Sequence, residues 1–226
     1  MGIYDFKLDK YSSHMKIISF LNKMDLGKEL NILDVGCSKG FIARSLQNSK
    51  YRFYGIEIDK DDIMSAKKYY KEIRSINLDN EKPAYKEGFF DIIILADIIE
   101  HLKDPDSIIR HFKKFLKKDG IMIISVPNVA NAYVRLKLLF GMFEYEEKGI
   151  MDKTHLRFFT LNSIKRLCKE SGLRAISLEF TPIPLPLVNK IFESGKPFHF
   201  LHVLNYYMMR ALPKLLCFQV ILFCKK

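Results

Sequence analysis

Two hydrophobic periods alternate along this chain. Short runs that are apolar at nearly every position, or apolar around one polar residue, fall at 32–35, 51–57, 90–95 and 121–126. Such runs read as strands of a sheet covered on both faces. Between them, apolar residues recur at helical spacing. Ile17, Ile18, Leu21 and Met24 mark a helix over 11–24, capped by Ser12 or Ser13. Phe41, Ile42, Ala43 and Leu46 begin another at Gly40. A third, over 62–73, opens on Asp59, Asp61 and Asp62 and gathers lysines toward its end, matching the helix dipole. Residues 76–78 give a short strand. The clearest helix starts at Asp104-Pro105-Asp106, carries Ile108, Ile109, Phe112 and Phe115 on one face, and stops at Gly120. Helices at 130–140 and 161–171, a strand at 174–180 and a strand signal at 216–224 follow. Strands alternating with helices predict an α/β fold with a doubly wound, mostly parallel sheet.

The stretch that organises the rest is ILDVGCSKG, 32–40. Strand, glycine turn and helix in that order place a ligand at the strand's carboxyl end. Gly36 lets the backbone approach that ligand closely, and the helix start at Gly40 offers free N–H groups. The dinucleotide pattern G-x-G-x-x-G is not met, since Ser38 stands where its second glycine would be, and no P-loop is present. An adenosine ligand without phosphates fits better. Glu57 supports this: it ends the second strand, 23 residues past Asp34, where a carboxylate can accept both ribose hydroxyl protons.

Four ordered motifs, over roughly 31–126, resemble the class I S-adenosylmethionine-dependent methyltransferases. They are the glycine loop ILDVGCSKG, the acidic strand end YGIEID, the loop NLD at 77–79, and FFDIIILADIIEHLKDPD at 89–106. The departure is Ser38, where most members have glycine. The resemblance implies S-adenosylmethionine as cofactor, held by Asp34, Gly36, Cys37 and Gly40, by Glu57 and Ile58, by Leu78 and Asp79 on the adenine side, and by Ala96. It also implies a seven-stranded sheet ending in an antiparallel hairpin. The run at 216–224 is then the last strand, and 181–214 is a long insertion within that hairpin. The whole of 1–226 reads as one methyltransferase domain, with a second insertion at 127–160 on the acceptor side.

Composition narrows the partners. The 226 residues can bury a substantial core, and 48% hydrophobic content excludes a disordered chain. Four cysteines without a C-x-x-C pair read as reduced thiols in the cytoplasm. The opening MGIYDF shows neither a signal peptide nor a myristoylation site, and no uncharged apolar run approaches a membrane span. A net charge of +11 invites nucleic acid, yet only nine of the 37 basic residues are arginine, the residue for forked phosphate recognition. Scattered lysine reads instead as a solvated surface.

The resemblance implies in-line methyl transfer, in which the protein mainly aligns two reactants. His101 follows the fourth strand and His155 lies in GIMDKTHLRFFT, 149–160; either can act as proton acceptor, with His155 preferred. Asp152 and Arg157 beside it suit a polyhydroxylated acceptor, and that segment resembles a branch associated with glycan and lipopolysaccharide assembly. O-methylation of a sugar or lipid-linked glycan is therefore the first expectation. The alternatives are a quinone or small-molecule acceptor, whose apolar pocket the 130–143 helix would line, an RNA acceptor, and a cofactor-binding scaffold without catalysis. His199-x-x-His202 has a metal-pair spacing without a third ligand, and no metal is assigned. Aromatic and aliphatic residues among Lys190, Lys196, Arg210 and Lys214 suggest a peripheral contact of the 181–214 insertion with the inner membrane face, or with a second copy. The oligomeric state is left open.

Overall fold

A computed structural model describes residues 9–24, 29–47 and 50–226. The opening segment MGIYDF, on which the expectation of no leader or acylation rests, lies outside them. Seven strands form one sheet: β1 (Leu30–Val35), β2 (Tyr51–Glu57), β3 (Glu72–Ser75), β4 (Phe90–Ala96), β5 (Leu116–Pro127), β6 (Arg174–Thr181) and β7 (Gln219–Lys225). Their order is β3-β2-β1-β4-β5-β7-β6. The pairs from β3 to β5 are parallel, and β7 runs antiparallel between β5 and β6. The doubly wound sheet with an antiparallel C-terminal pair is thus the observed fold.

The period of two in the strands sorts their side chains between two layers. Leu33, Val35, Ile93, Leu95, Met122 and Ile124 pack with α4 (Pro105–Phe115) and α6 (Leu161–Glu170). Ile32, Phe53, Ile92, Ile94 and Ile123 pack with α1 (Ser13–Lys23), α2 (Phe41–Ser45) and α3 (Lys60–Ala66). Because β1, β2 and β4 are parallel and in register, Val35 lies beside Ile56 and Leu95, and their carboxyl ends open on one edge. The strand order reverses between β1 and β4, which creates the crevice there.

Caps behave as their residue types predict. Ser12 accepts from the Met15 amide, Asp59 from those of Asp61 and Asp62, and Asp104 from that of Ser107 with Pro105 at the first helical position. Three boundaries differ from expectation. The 62–73 helix ends at Ala66, and after a single-turn helix at Lys67–Tyr69 the chain forms β3 at Glu72–Ser75, ahead of the expected 76–78. Tyr70 turns inward beneath the first loop, where the space above Gly40 and Gly55 admits its ring and no Cβ. The helix expected to run to Gly120 ends at Phe115, because Leu116 already pairs with Phe90. The ladder shifts between Phe90 and Ile92, and Gly120 packs against the Asp91 carbonyl. The last strand starts at Gln219 rather than 216.

Two segments interrupt the alternation. Between β5 and β6 lies α5 (Ala132–Leu139), capped by Asn131. Between β6 and β7 lie α7 (Leu185–Val188), a turn at Lys190–Phe192, α8 (His199–Ala211) and α9 (Pro213–Leu216).

Candidate active site

The loop after β1 takes a conformation that costs most residues energy. Gly36 and Gly40 both have φ of 71°, and an added Cβ at Gly36 would lie 2.8 Å from Ile98 Cδ1. Ser38 also has a positive φ, 45°, without glycine's freedom. Two bonds hold it: its amide donates to Glu57 Oε2 (2.8 Å) and its Oγ to Asp62 Oδ2 (2.8 Å). The amides of Ile58 (2.7 Å) and Asp59 (3.1 Å) donate to Glu57 Oε1. Three N–H groups thus fix the carboxylate at the end of β2 and leave lone-pair sites for a further donor.

Asp34 lies on the cleft floor, where its Oδ2 accepts from the Tyr70 hydroxyl (2.7 Å). Burial, and then the Asp34 charge, push the Tyr70 pKa well up, so the phenol stays a donor. Burial likewise raises the Cys37 thiol, with Asp34 and Glu57 adding to the effect, and it stays protonated. His14, Asp34, Gly36, Cys37, Phe41 and Ala96 line the narrow cleft. Of the other predicted residues, Ile58 is exposed, Leu78 is half-buried, and Asp79 accepts from the Lys103 amide (3.0 Å). An acid fixed at a strand end, a loop open to close backbone approach and a polar-floored cleft fit an adenosine-bearing ligand.

Asp97, one residue past β4, is a further member. Its φ is 54°, its Oδ1 accepts from Ser125 Oγ (2.6 Å) and its Oδ2 from Ser13 Oγ (3.3 Å), which ties the start of α1 to the cleft. An acid closing an apolar strand is the signal that singles out Glu57, and it was available for Asp97. Nothing local signals Tyr70 or His14.

A second cluster adjoins the first through Asp97. Glu100 sits in a single turn of helix, Ile99–His101, is 1% exposed, and among the described residues has no hydrogen bond to either carboxylate oxygen. Burial, with the charges of Asp97 and Asp152 nearby, raises its pKa well above 4.5. Its carbonyl accepts from the amides of Leu156 (2.9 Å) and Arg157 (3.0 Å), docking the 149–160 segment onto this turn. That docking brings His155 against His101, rings 4.8 Å apart. His155 Nδ1 bonds to the Ile150 carbonyl (3.1 Å) and His101 Nδ1 to that of Thr154 (3.2 Å). A carbonyl partner makes Nδ1 the donor, which leaves each Nε2 a lone pair. Burial lowers the pKa of His155. Glu100, His101 and His155 each bring a ligand atom within 4.8 Å of the others, a donor set that suits a divalent cation.

The segment that carries the predicted acceptor-side residues is largely tucked into the protein. Ile150, Met151, Asp152, His155 and Phe159 are buried. Asp152 Oδ1 accepts from the Thr154 amide (2.8 Å) and hydroxyl (2.6 Å), shaping its own turn. Arg157 donates through Nε (3.2 Å) and Nη2 (2.6 Å) to the Lys103 carbonyl. His199 and His202 do not form a pair: His199 bonds to the Phe192 carbonyl (3.0 Å), and His202 Nε2 to Asp9 Oδ2 (2.6 Å). Of the apolar residues of α5, Val134 is buried, while Leu136 and Leu139, with Phe140 just after them, are exposed.

Comparison with known proteins gives a consistent answer. Residues 11–178 match the model of the family described as methyltransferase domain. The chain is 26% identical over 167 residues to a ubiquinone biosynthesis O-methyltransferase of Glaesserella parasuis, covering 67% of this chain and 70% of that protein. It is 28% identical over 155 residues to one of Neisseria meningitidis, covering 63% of each. Its fold matches the crystal structure of a SAM-dependent methyltransferase from Archaeoglobus fulgidus with TM-score 0.63 at 17% identity, covering 96% of both chains. The chain belongs to the methyltransferase-domain family and is an S-adenosylmethionine-dependent methyltransferase.

Proposed function

We propose that the enzyme methylates a hydroxyl of a lipid-soluble small molecule of the quinone-precursor kind. The observation that carries this reading is the pair of imidazoles, His101 and His155, rings 4.8 Å apart, each with Nδ1 on a carbonyl and Nε2 without a hydrogen-bond partner among the described residues, in the cluster that adjoins the cleft through Asp97. S-adenosylmethionine supplies a methyl group activated on a sulfonium. Glu57 would hold its ribose, the 36–40 loop and Asp34 its amino-acid end, and Leu78, Asp79 and Ile58 its adenine side, with Cys37 and Ala96 as walls. His155, with His101 against it, accepts the hydroxyl proton on Nε2 as the oxygen attacks. The Ile150 carbonyl orients the ring and steadies the charge it gains. Because burial lowers its pKa, His155 is neutral and ready at neutral pH.

The acceptor class draws support from two sides. The relatives named above act, by name, in ubiquinone biosynthesis, and the exposed side chains of α5 offer an apolar approach. A glycan has less support here, because Asp152 and Arg157, the groups to meet its hydroxyls, already bond Thr154 and the Lys103 carbonyl. A peripheral position at a membrane accords with such an acceptor.

Labelled methyl transfer to a prenylated catechol, set against glycan and RNA fractions, tests the reading. Label in the catechol alone is expected, and label in the glycan alone would overturn the acceptor class. His155→Ala should cut turnover by about 10²–10⁴-fold with cofactor affinity unchanged. Should His101→Ala abolish turnover while His155→Ala spares it, the proton acceptor is His101.

A further inference from the structure

Helix α8 is apolar on two faces. One is committed to the body of the protein: His202 meets Asp9 at 2.6 Å, Tyr206 stacks on Tyr11 with centroids 4.2 Å apart, and Met209 is 1% exposed. The other is open. Phe200, Leu204, Tyr207 and Met208, again at helical spacing, are 51–60% exposed. A helix apolar all round belongs in apolar surroundings, and only half of this one has them. Charge tells what the other half meets. Between β6 and β7 the cations are Lys190, Lys196, Arg210 and Lys214, against a single acid, Glu193. We propose that the outer face of α8 seats the protein on the surface of an anionic lipid bilayer. The proposal concerns a surface apart from the reacting groups and holds whichever acceptor is methylated.

Charge favours a bilayer over a second copy of the chain. A two-fold contact would set these cations against themselves, on a molecule already carrying +11. Anionic headgroups complement them, at about 1 kcal/mol per basic residue near the surface. With 13 residues α8 is roughly 20 Å long, short of a ~30 Å hydrocarbon core. Among the described residues no helix is long and apolar enough to cross a membrane. The helix therefore lies in the interface plane, with Phe200 and Tyr207 at headgroup level. Its inner face grips the residues that lead into α1, whose Ser13 and His14 reach Asp97 and the cofactor cleft.

Co-sedimentation with phosphatidylcholine vesicles, with and without phosphatidylglycerol, tests this at low and moderate salt. The protein should pellet with the phosphatidylglycerol vesicles and less so as salt rises. A Phe200→Ser/Leu204→Ser/Tyr207→Ser variant and a Lys190→Glu/Lys196→Glu/Lys214→Glu variant should each lose about tenfold or more of that partitioning. Both should keep the wild-type thermal midpoint, since the altered side chains face solvent. Three results would overturn the proposal: protein that stays in the supernatant at low salt, partitioning indifferent to the serine variant, or a dimer that the serine variant dissociates. None of these depends on methyl transfer, so failure here is distinct from failure of the acceptor reading.

Discussion

Glu57 does two jobs with one carboxylate. It braces Ser38 in a left-handed conformation that costs an ordinary residue about 1–2 kcal/mol, and in the proposed reading its remaining lone pairs meet the cofactor's ribose. Charge-assisted hydrogen bonds contribute roughly 1.5–3 kcal/mol each. Glu57→Ala should therefore weaken S-adenosylmethionine binding about tenfold or more, as calorimetry would read. Unchanged affinity would take Glu57 out of the site. Glu100 tests the opposite situation, a buried carboxyl without a hydrogen-bond partner among the described residues. Its raised pKa means that, in the pH range above 4.5, the folded protein keeps a proton that the unfolded chain releases. Stability then falls as pH rises through that window. In chelator-treated protein, Glu100→Gln, which mimics the protonated form, should raise Tm, and the gain should grow as pH rises above 4.5. Each ~1 kcal/mol of gain appears as roughly 2–4 °C. A gain that is flat with pH would show that the carboxyl is not held neutral. The turn at Gly36 and the strand end at Glu57 were legible, because a glycine or an acid at the end of an apolar run announces itself. The meeting of His155 with His101 was not, because it depends on a loop folding back across 54 residues onto one carbonyl.

Among the elements, α4 begins just after the turn that carries Glu100 and His101. Its cap, Asp104, lies three residues past His101 and bonds to the Ser107 amide at 3.0 Å. The intervening Lys103 ties the turn to Asp79 through its amide and to Arg157 through its carbonyl. Asp104→Ala should cost about 0.5–2 kcal/mol, a Tm loss of a few degrees, and should lower turnover more than cofactor affinity. Thermal melts and separate kcat and Kd measurements check this; equal loss of both would mean that the cap supports the fold alone. Helix starts were legible because capping is local chemistry. Two helix ends were not. Nothing in the sequence near Tyr70 shows that its ring goes under Gly40 and Gly55, and nothing near Leu116 shows that it pairs with Phe90. Those ends are set by partners distant in the chain.

At the scale of the molecule, the sheet is uneven. β1, β4, β5 and β7 are buried almost throughout, whereas the two edge strands, β3 and β6, are largely half-buried or exposed. An open edge invites pairing with another chain, and charged residues stand on both, Glu72 and Arg74 on β3, Arg174 and Glu179 on β6. β3 is also only four residues long and pairs with β2 alone. Local opening begins where burial is least. Amide protons at 72–75 should therefore exchange with solvent long before those of β1 or β4. The loop that follows β3 carries Leu78 and Asp79, the residues proposed for the adenine side, so that side would hang from a poorly protected edge strand. If S-adenosylmethionine is held between Glu57 and Asp79, its binding should slow exchange at 72–79, and part of its binding energy would go into ordering that loop.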